Sequence, residues 1–188
     1  MIHRKLKTIF IHMPRCAGTS ITQRLNEEPG AGDNRYYSHI TADDYKILVG
    51  EKIFNKFFKF SVIRNPYDRV YSSFKRNSTI DDVTFYDFEK WLMYLTSMDW
   101  KKKGVRGVLG SHYDWLGNPP LVDYIIRYED FEKGWKHVCA KLGIKNTISK
   151  VNIGEYNLRG YKKYHTKKTI EIVQHYFKKD LEEFKYDF

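Results

Sequence analysis

Between residues 8 and 20 the chain passes from an apolar, strand-forming run into a helix through a turn of small residues. The run is Thr8-Ile9-Phe10-Ile11-His12-Met13-Pro14-Arg15-Cys16-Ala17-Gly18-Thr19-Ser20, and Ile21 and Leu25 follow at helical spacing. Pro14 ends the strand pattern, and Thr19 or Ser20 is the expected cap of the helix. Strand, tight loop and helix is a geometry that binds anions. The first N–H groups of a helix have no partner inside it and point at whatever lies beyond.

A nucleotide-triphosphate loop of this shape ends in Gly-Lys followed by Ser or Thr. Here Gly18 is followed directly by Thr19-Ser20, and the cation stands upstream at Arg15. That difference argues against a nucleoside triphosphatase and for another phosphate-like ligand.

The rest of the chain alternates between the two element types. Lys7–His12, Phe57–Ile63 and Leu121–Ile126 read as strands. Helices are expected over Thr19–Asn26, Thr41–Val49, onward from the Asn65 cap and Pro66, and over Phe85–Met98, Phe131–Leu142, Thr166–Phe177 and Asp180–Phe184. Gly143 stands where a helix stop belongs. Trp100–Pro120 reads as irregular, and Lys145–Lys163 shows no strong period. The pattern predicts an α/β protein: a P-loop-like three-layer domain with a mainly parallel central sheet flanked by helices. Such sheets bind ligands beyond the carboxyl ends of their strands. Both Pro14–Thr19 and Arg64–Pro66 are expected there.

A length of 188 residues predicts one domain, residues 1–188. The two cysteines, Cys16 and Cys139, form neither a disulfide framework nor a metal-ligand spacing, which fits a reducing, cytoplasmic setting. No signal peptide or membrane span is evident in the sequence. The net charge of +10 favours an anionic partner without choosing among a nucleotide, an acidic glycan and a nucleic acid.

A second constellation follows the second strand: Arg64-Asn65-Pro66-Tyr67-Asp68-Arg69-Val70-Tyr71-Ser72. Asn65, Arg69, Ser72 and Arg76 share one face at helical spacing. Arg supplies a planar donor fork and Ser a hydroxyl, both suited to phosphate.

Together the two segments resemble the sulfotransferases that use 3′-phosphoadenosine 5′-phosphosulfate (PAPS). The likeness is to the carbohydrate-type branch, which includes the heparan sulfate 2-O-sulfotransferases and their bacterial relatives. That family's first motif is His-x-Pro-Lys-x-x-Gly-Thr-Ser, and this chain has His12-Met13-Pro14-Arg15-Cys16-Ala17-Gly18-Thr19-Ser20. Its second is Arg-x-Pro with a Ser eight residues after the Arg, matched by Arg64-Asn65-Pro66 and Ser72. Ser38-His39-Ile40-Thr41 is similar to the segment that carries the family's catalytic histidine. Ile125–Phe131 and the closing Asp180–Phe188 are similar to two further family segments.

The resemblance implies a transfer of sulfuryl from PAPS, as co-substrate, to an acceptor hydroxyl on a glycan or small alcohol. It implies direct in-line attack, and it calls on no metal, no nucleic acid and no membrane span. Pro14, Arg15, Cys16, Ala17, Gly18, Thr19 and Ser20 would hold the 5′-phosphosulfate, and Arg64 and Ser72 the 3′-phosphate. Arg159, Lys162 and Lys163 lie in the place of a loop that closes over the nucleotide. Arg15 replaces the family's usual Lys and would act electrostatically on the leaving phosphate. His39 is the candidate base, with Asp43 and Asp44 as alternatives. Animal relatives carry a membrane anchor, so the expectation for this chain is a bacterial or viral enzyme. A P-loop kinase acting on a small molecule and a basic nucleic-acid-binding module remain the alternatives.

Overall fold

The computed structural model describes residues 1–30, 39–99, 103–148 and 160–188, with the side chains of residues 103–104 left aside. In chain order the elements are β1 (Ile2–His3), β2 (Thr8–Ile11), α1 (Gly18–Asn26), α2 (Ala42–Val49), α3 (Glu51–Lys56), β3 (Phe58–Ile63) and α4 (Pro66–Arg76). There follow β4 (Thr79–Ile80), β5 (Val83–Thr84), α5 (Phe88–Thr96), α6 (Lys103–Leu109), α7 (His112–Leu116), β6 (Tyr124–Arg127), α8 (Phe131–Leu142), α9 (Lys167–Tyr176) and α10 (Lys178–Glu183). Single 3-10 turns stand at Tyr128–Asp130 and Lys162–Tyr164.

The elements form a mixed α/β architecture, with a mostly parallel central sheet flanked by helices, as the alternating pattern predicts. The chain divides into two compact units. The first comprises residues 1–63 and 112–154, the second residues 64–111 and 155–188.

The first unit holds the sheet, in the order β1-β2-β3-β6. β2, β3 and β6 run parallel, with Ile9 beside Lys59 and Ser61 beside Ile125. β1 pairs antiparallel with β2 at the edge; at two residues it is too short for a pattern to reveal. The parallel strands are apolar nearly throughout because helices cover the sheet. Ile9, Phe10, Ile11, Phe60, Val62 and Ile126 are buried. Phe10 stacks on Phe60 at 5.0 Å, and Phe60 meets Trp135 of α8 at 6.5 Å. A Cβ at Gly134 would stand 2.6 Å from Ile126 Cγ2, so glycine lets α8 lie directly on β6. At the opposite end of the strands from the ligand side, Asp123 accepts from Lys59 N at 2.7 Å and from Lys59 Nζ at 2.8 Å, which pins the β3–β6 register. α2 opens with a complete capping box. Thr41 Oγ1 accepts from Asp44 N, and Asp44 Oδ2 accepts from Thr41 N. Such a cap contributes about 1 kcal/mol.

The second unit is helical, with the short antiparallel hairpin β4–β5. Its core gathers Tyr67, Val70 and Tyr71 of α4, Phe88, Trp91, Leu92 and Leu95 of α5, Val105 and Leu109 of α6, and Val173 of α9 with Phe177. His165 sits among aromatic edges: Phe88 at 5.0 Å, Phe188 at 5.5 Å, Tyr67 at 5.6 Å and Tyr161 at 6.0 Å. Its Nε2 donates to the Tyr67 carbonyl at 3.1 Å. Burial pushes its imidazole down to about 4.

Two expectations need correction. Residues 103–116, read as irregular, contain α6 and α7, because Val105, Leu109, His112, Trp115 and Leu116 bury despite the glycines between them. Neither Thr19 nor Ser20 caps α1. The cap position is Ala17, in a left-handed conformation and with no side-chain hydrogen bond.

Candidate functional site

The loop after β2 is built from backbone. Ser61 Oγ of β3 donates to the Ile11 carbonyl at 2.8 Å, and Met13 N donates to the same oxygen at 3.1 Å, which fixes where the strand stops. Met13 and Cys16 are buried and anchor the loop from below. Arg15 (φ 63°) and Ala17 (φ 57°) both adopt left-handed backbone. Neither is glycine, so each carries strain on the order of 1 kcal/mol that the surroundings must hold. Turns that pass through left-handed residues can bring successive N–H groups together in a concavity that suits an anion. α1 then begins with no capping side chain and no acidic residue in its first turn. Ser20 is buried, and its Oγ has no hydrogen-bond partner among the described residues. Thr19 is exposed, while Pro14 and Arg15 are half-buried.

His12 and His39 meet beside this loop. Their ring centroids are 4.4 Å apart and tilted by 49°. His39 Nδ1 lies 3.2 Å from the His12 carbonyl oxygen. His39 is also left-handed, at φ 60°. Burial, with the charge of His39 second, pushes the His12 imidazole down to about 3. Of the alternative bases, Asp44 is engaged in the Thr41 capping box and Asp43 is exposed in the first turn of α2.

The second constellation, in the other unit, is built from side chains. Asn65 caps α4, its Oδ1 accepting from Tyr67 N at 3.1 Å, and its Nδ2 donates to the Asp187 carbonyl at 2.8 Å. Arg64 is buried; its Nε donates to Asp68 Oδ2 at 2.8 Å and its Nη1 to Ser72 Oγ at 3.2 Å. Asp68 is the participant that motif reading missed; its signal was the four-residue spacing from Arg64. Arg69, expected on the phosphate-facing side, is instead fully buried. It donates to the Gly110 carbonyl and lies over the Phe177 ring at 5.1 Å, while Arg76 is exposed. Lys162 stands over Phe188 at 5.2 Å. Arg159 lies outside the described residues. Trp115 is buried in the first unit. Among the described residues, no group of three or more His, Cys, Asp or Glu side chains is placed to hold a metal, and no helix is long and apolar enough to cross a membrane.

A mostly parallel sheet whose first parallel strand leads into a helix through a tight loop with two left-handed residues defines an α/β protein of the P-loop-like kind. The chain belongs to the sulfotransferase family, whose model matches residues 1–187 and so runs through both units. Sulfuryl transfer is the chemistry of that family. No curated protein and no solved structure matches the chain.

Proposed function

We propose that the protein transfers a sulfuryl group from PAPS to a hydroxyl of a carbohydrate acceptor by direct in-line displacement. The observation that carries this reading is the loop at residues 14–20. Two left-handed non-glycine residues lead into a helix with no side-chain cap, and the buried Ser20 hydroxyl has no hydrogen-bond partner among the described residues. That is a cradle for a tetrahedral anion, and in this family the anion is the phosphosulfate end of the donor. Both units would serve one sulfotransferase domain, a reading that the extent of the family match supports.

In this scheme the acceptor oxygen forms a bond to sulfur as the bond from sulfur to the 5′-phosphate oxygen breaks. The acceptor proton passes to His39, since an alcohol is a weak nucleophile at neutral pH. Negative charge grows on the departing phosphate, where the loop N–H groups, Ser20 and Arg15 stabilise it. Arg15 remains protonated throughout and so works as a fixed charge rather than as a proton donor. Arg64 and Ser72 would hold the 3′-phosphate, with Lys162 and Arg159 contributing charge nearby. The resemblance to the carbohydrate branch and the net charge of +10 favour a sugar acceptor, one that already bears acidic groups included.

Ligand-induced thermal stabilisation tests the donor. Binding of 3′,5′-bisphosphoadenosine at 100 times its dissociation constant should add about 2.7 kcal/mol to stability. ATP with Mg²⁺ and short oligonucleotides should add much less. Equal or stronger stabilisation by ATP–Mg²⁺ would move the reading to phosphoryl transfer. Labelled PAPS offered to sulfated glycans, neutral glycans and small alcohols then identifies the acceptor class.

A further inference from the structure

We infer that His12 is a positioning residue for His39: its carbonyl and ring face hold the His39 imidazole in the one tautomer that leaves Nε2 as the proton acceptor. The inference rests on the reading of His39 as the base. A backbone carbonyl only accepts, so the 3.2 Å contact from His39 Nδ1 to the His12 oxygen requires the proton to be on Nδ1. In a neutral imidazole the lone pair is then on Nε2. Histidine in water prefers the opposite arrangement, so the tautomer must be imposed.

The geometry supplies the constraint. The His12 ring stacks on Phe10 at 5.7 Å and faces His39 at 4.4 Å, so the three rings form a short pile that ends at the candidate base. On its flank His12 rests against the start of α1. A Cβ at Gly18 would come within 1.8 Å of His12 Cδ2 and 2.0 Å of Nε2. The helix that cradles the anion and the ring that supports the base therefore touch with no intervening atom. His12 also remains neutral, since burial disfavours its charged form. When His39 takes the acceptor proton, the new cation faces a neutral ring, and its Nδ1–H bond to the carbonyl becomes charge-assisted. The left-handed backbone of His39 is held in the same arrangement.

Long-range ¹H–¹⁵N spectra of the histidine rings test this, with the His39 signals assigned by their loss in His39→Gln. In the wild type His39 should be predominantly the Nδ1–H tautomer. His12→Ala should shift it toward Nε2–H and lower turnover about 10-fold or more, while bisphosphoadenosine affinity stays within about 3-fold. Both variants keep the backbone carbonyl, but His12→Phe also keeps a ring face, so it should retain the Nδ1–H tautomer and most of the turnover. Gly18→Ala, which pushes the ring from the other side, should reproduce the tautomer shift. A wild-type His39 that is mainly Nε2–H overturns the inference without any variant, so a poorly folding His12→Ala does not shield it. A tautomer unchanged in both His12→Ala and Gly18→Ala overturns it too. If the tautomer shifts as expected but His39→Ala turns over normally, the lock stands and the assignment of His39 as base falls.

Discussion

The turns that precede α1 and α4 each follow a parallel strand and open a helix, yet they are made of opposite materials. The first is backbone: two left-handed residues, a helix start with no side-chain cap, and no acidic residue in the first turn. The second is side chain. Asn65 already satisfies an N–H of α4, Pro66 has none to offer, and Asp68 puts negative charge into the first turn. In the proposed reading an anion at α4 would be held by Arg64 and Ser72 rather than by the helix terminus, and Arg64 shares its charge with Asp68. A backbone cradle suits a group whose charge changes during reaction, because its donors are fixed and need no reorganisation. A buried side-chain pair suits a group held alike before and after.

The largest effect should come from the histidine beside the backbone cradle. His39→Ala should lower turnover by roughly 100- to 10,000-fold, the range for a lost general base. Bisphosphoadenosine affinity, measured by calorimetry, should stay nearly constant. Loss of both would make His39 a structural part of the loop and blur the contrast drawn above.

Next comes Arg15. Arg15→Ala should lower turnover about 100-fold, the scale of removing a donor aimed at developing charge, with a smaller change in donor affinity. Arg15→Lys should retain much of the activity in a steady-state assay, because it keeps the charge at the family's usual residue. A Lys variant as inactive as the Ala variant would place Arg15 outside the reaction centre.

Arg64 should show the opposite signature. Arg64→Ala should weaken bisphosphoadenosine binding by about 1.5–3 kcal/mol with little change in turnover at saturation. It should also cost about 3 kcal/mol of stability by chemical denaturation, because Asp68 is left buried without its partner. Arg64→Ala combined with Asp68→Asn should recover stability but not binding. Recovery of both would reduce Arg64 to a structural ion pair.

The smallest expected effect concerns acid. Burial lowers His12 of the first unit to about 3 and His165 of the second to about 4, and it also lowers His3 of the first unit. Both values lie below the ordinary 6.5. Between folded and unfolded values only the unfolded chain binds the proton, so stability rises with pH over that window and is level above it. Each should contribute about 1.6 kcal/mol of lost stability between pH 6.5 and 5. Denaturation at both pH values should show the loss, and His165→Gln should remove its share. An unchanged slope in that variant would mean that His165 is not the group responsible.

The sequence displays local rules well and distant partners badly. α8 runs from Phe131 to Leu142 with Gly143 left-handed behind it, as its pattern predicts, and Thr41 and Asn65 cap as expected. These depend on neighbours a few residues away. The hairpin at Thr79–Thr84 was hidden because its turn uses Asp81 and Asp82, both at positive φ, where glycine or asparagine is the usual signal. α6 was hidden because burial of Val105 and Leu109 overrides poor helix propensity. In the first turn both motif residues and their order were legible. The left-handed Ala17 was not, since alanine carries no sign of it. His12 and His39 are separated by 27 residues, and nothing in either neighbourhood announces their contact. Arg64 and Asp68 follow a readable spacing, but burial alone turns that ordinary surface pair into a sensitive one.

The amide of Asn65 has one further consequence. One end of it starts α4, and the other grips the Asp187 carbonyl 122 residues later. A ribosome delivers the chain from its first residue onward. Among the described residues, the sheet-bearing unit has its strands once residue 127 has emerged and its last helix by residue 142. The unit with Arg64 begins earlier than α8 yet includes residues that follow α8, Asp187 and Phe188 among them. During synthesis, therefore, the Asn65–Asp187 bond can form only after the described elements of the sheet-bearing unit have emerged.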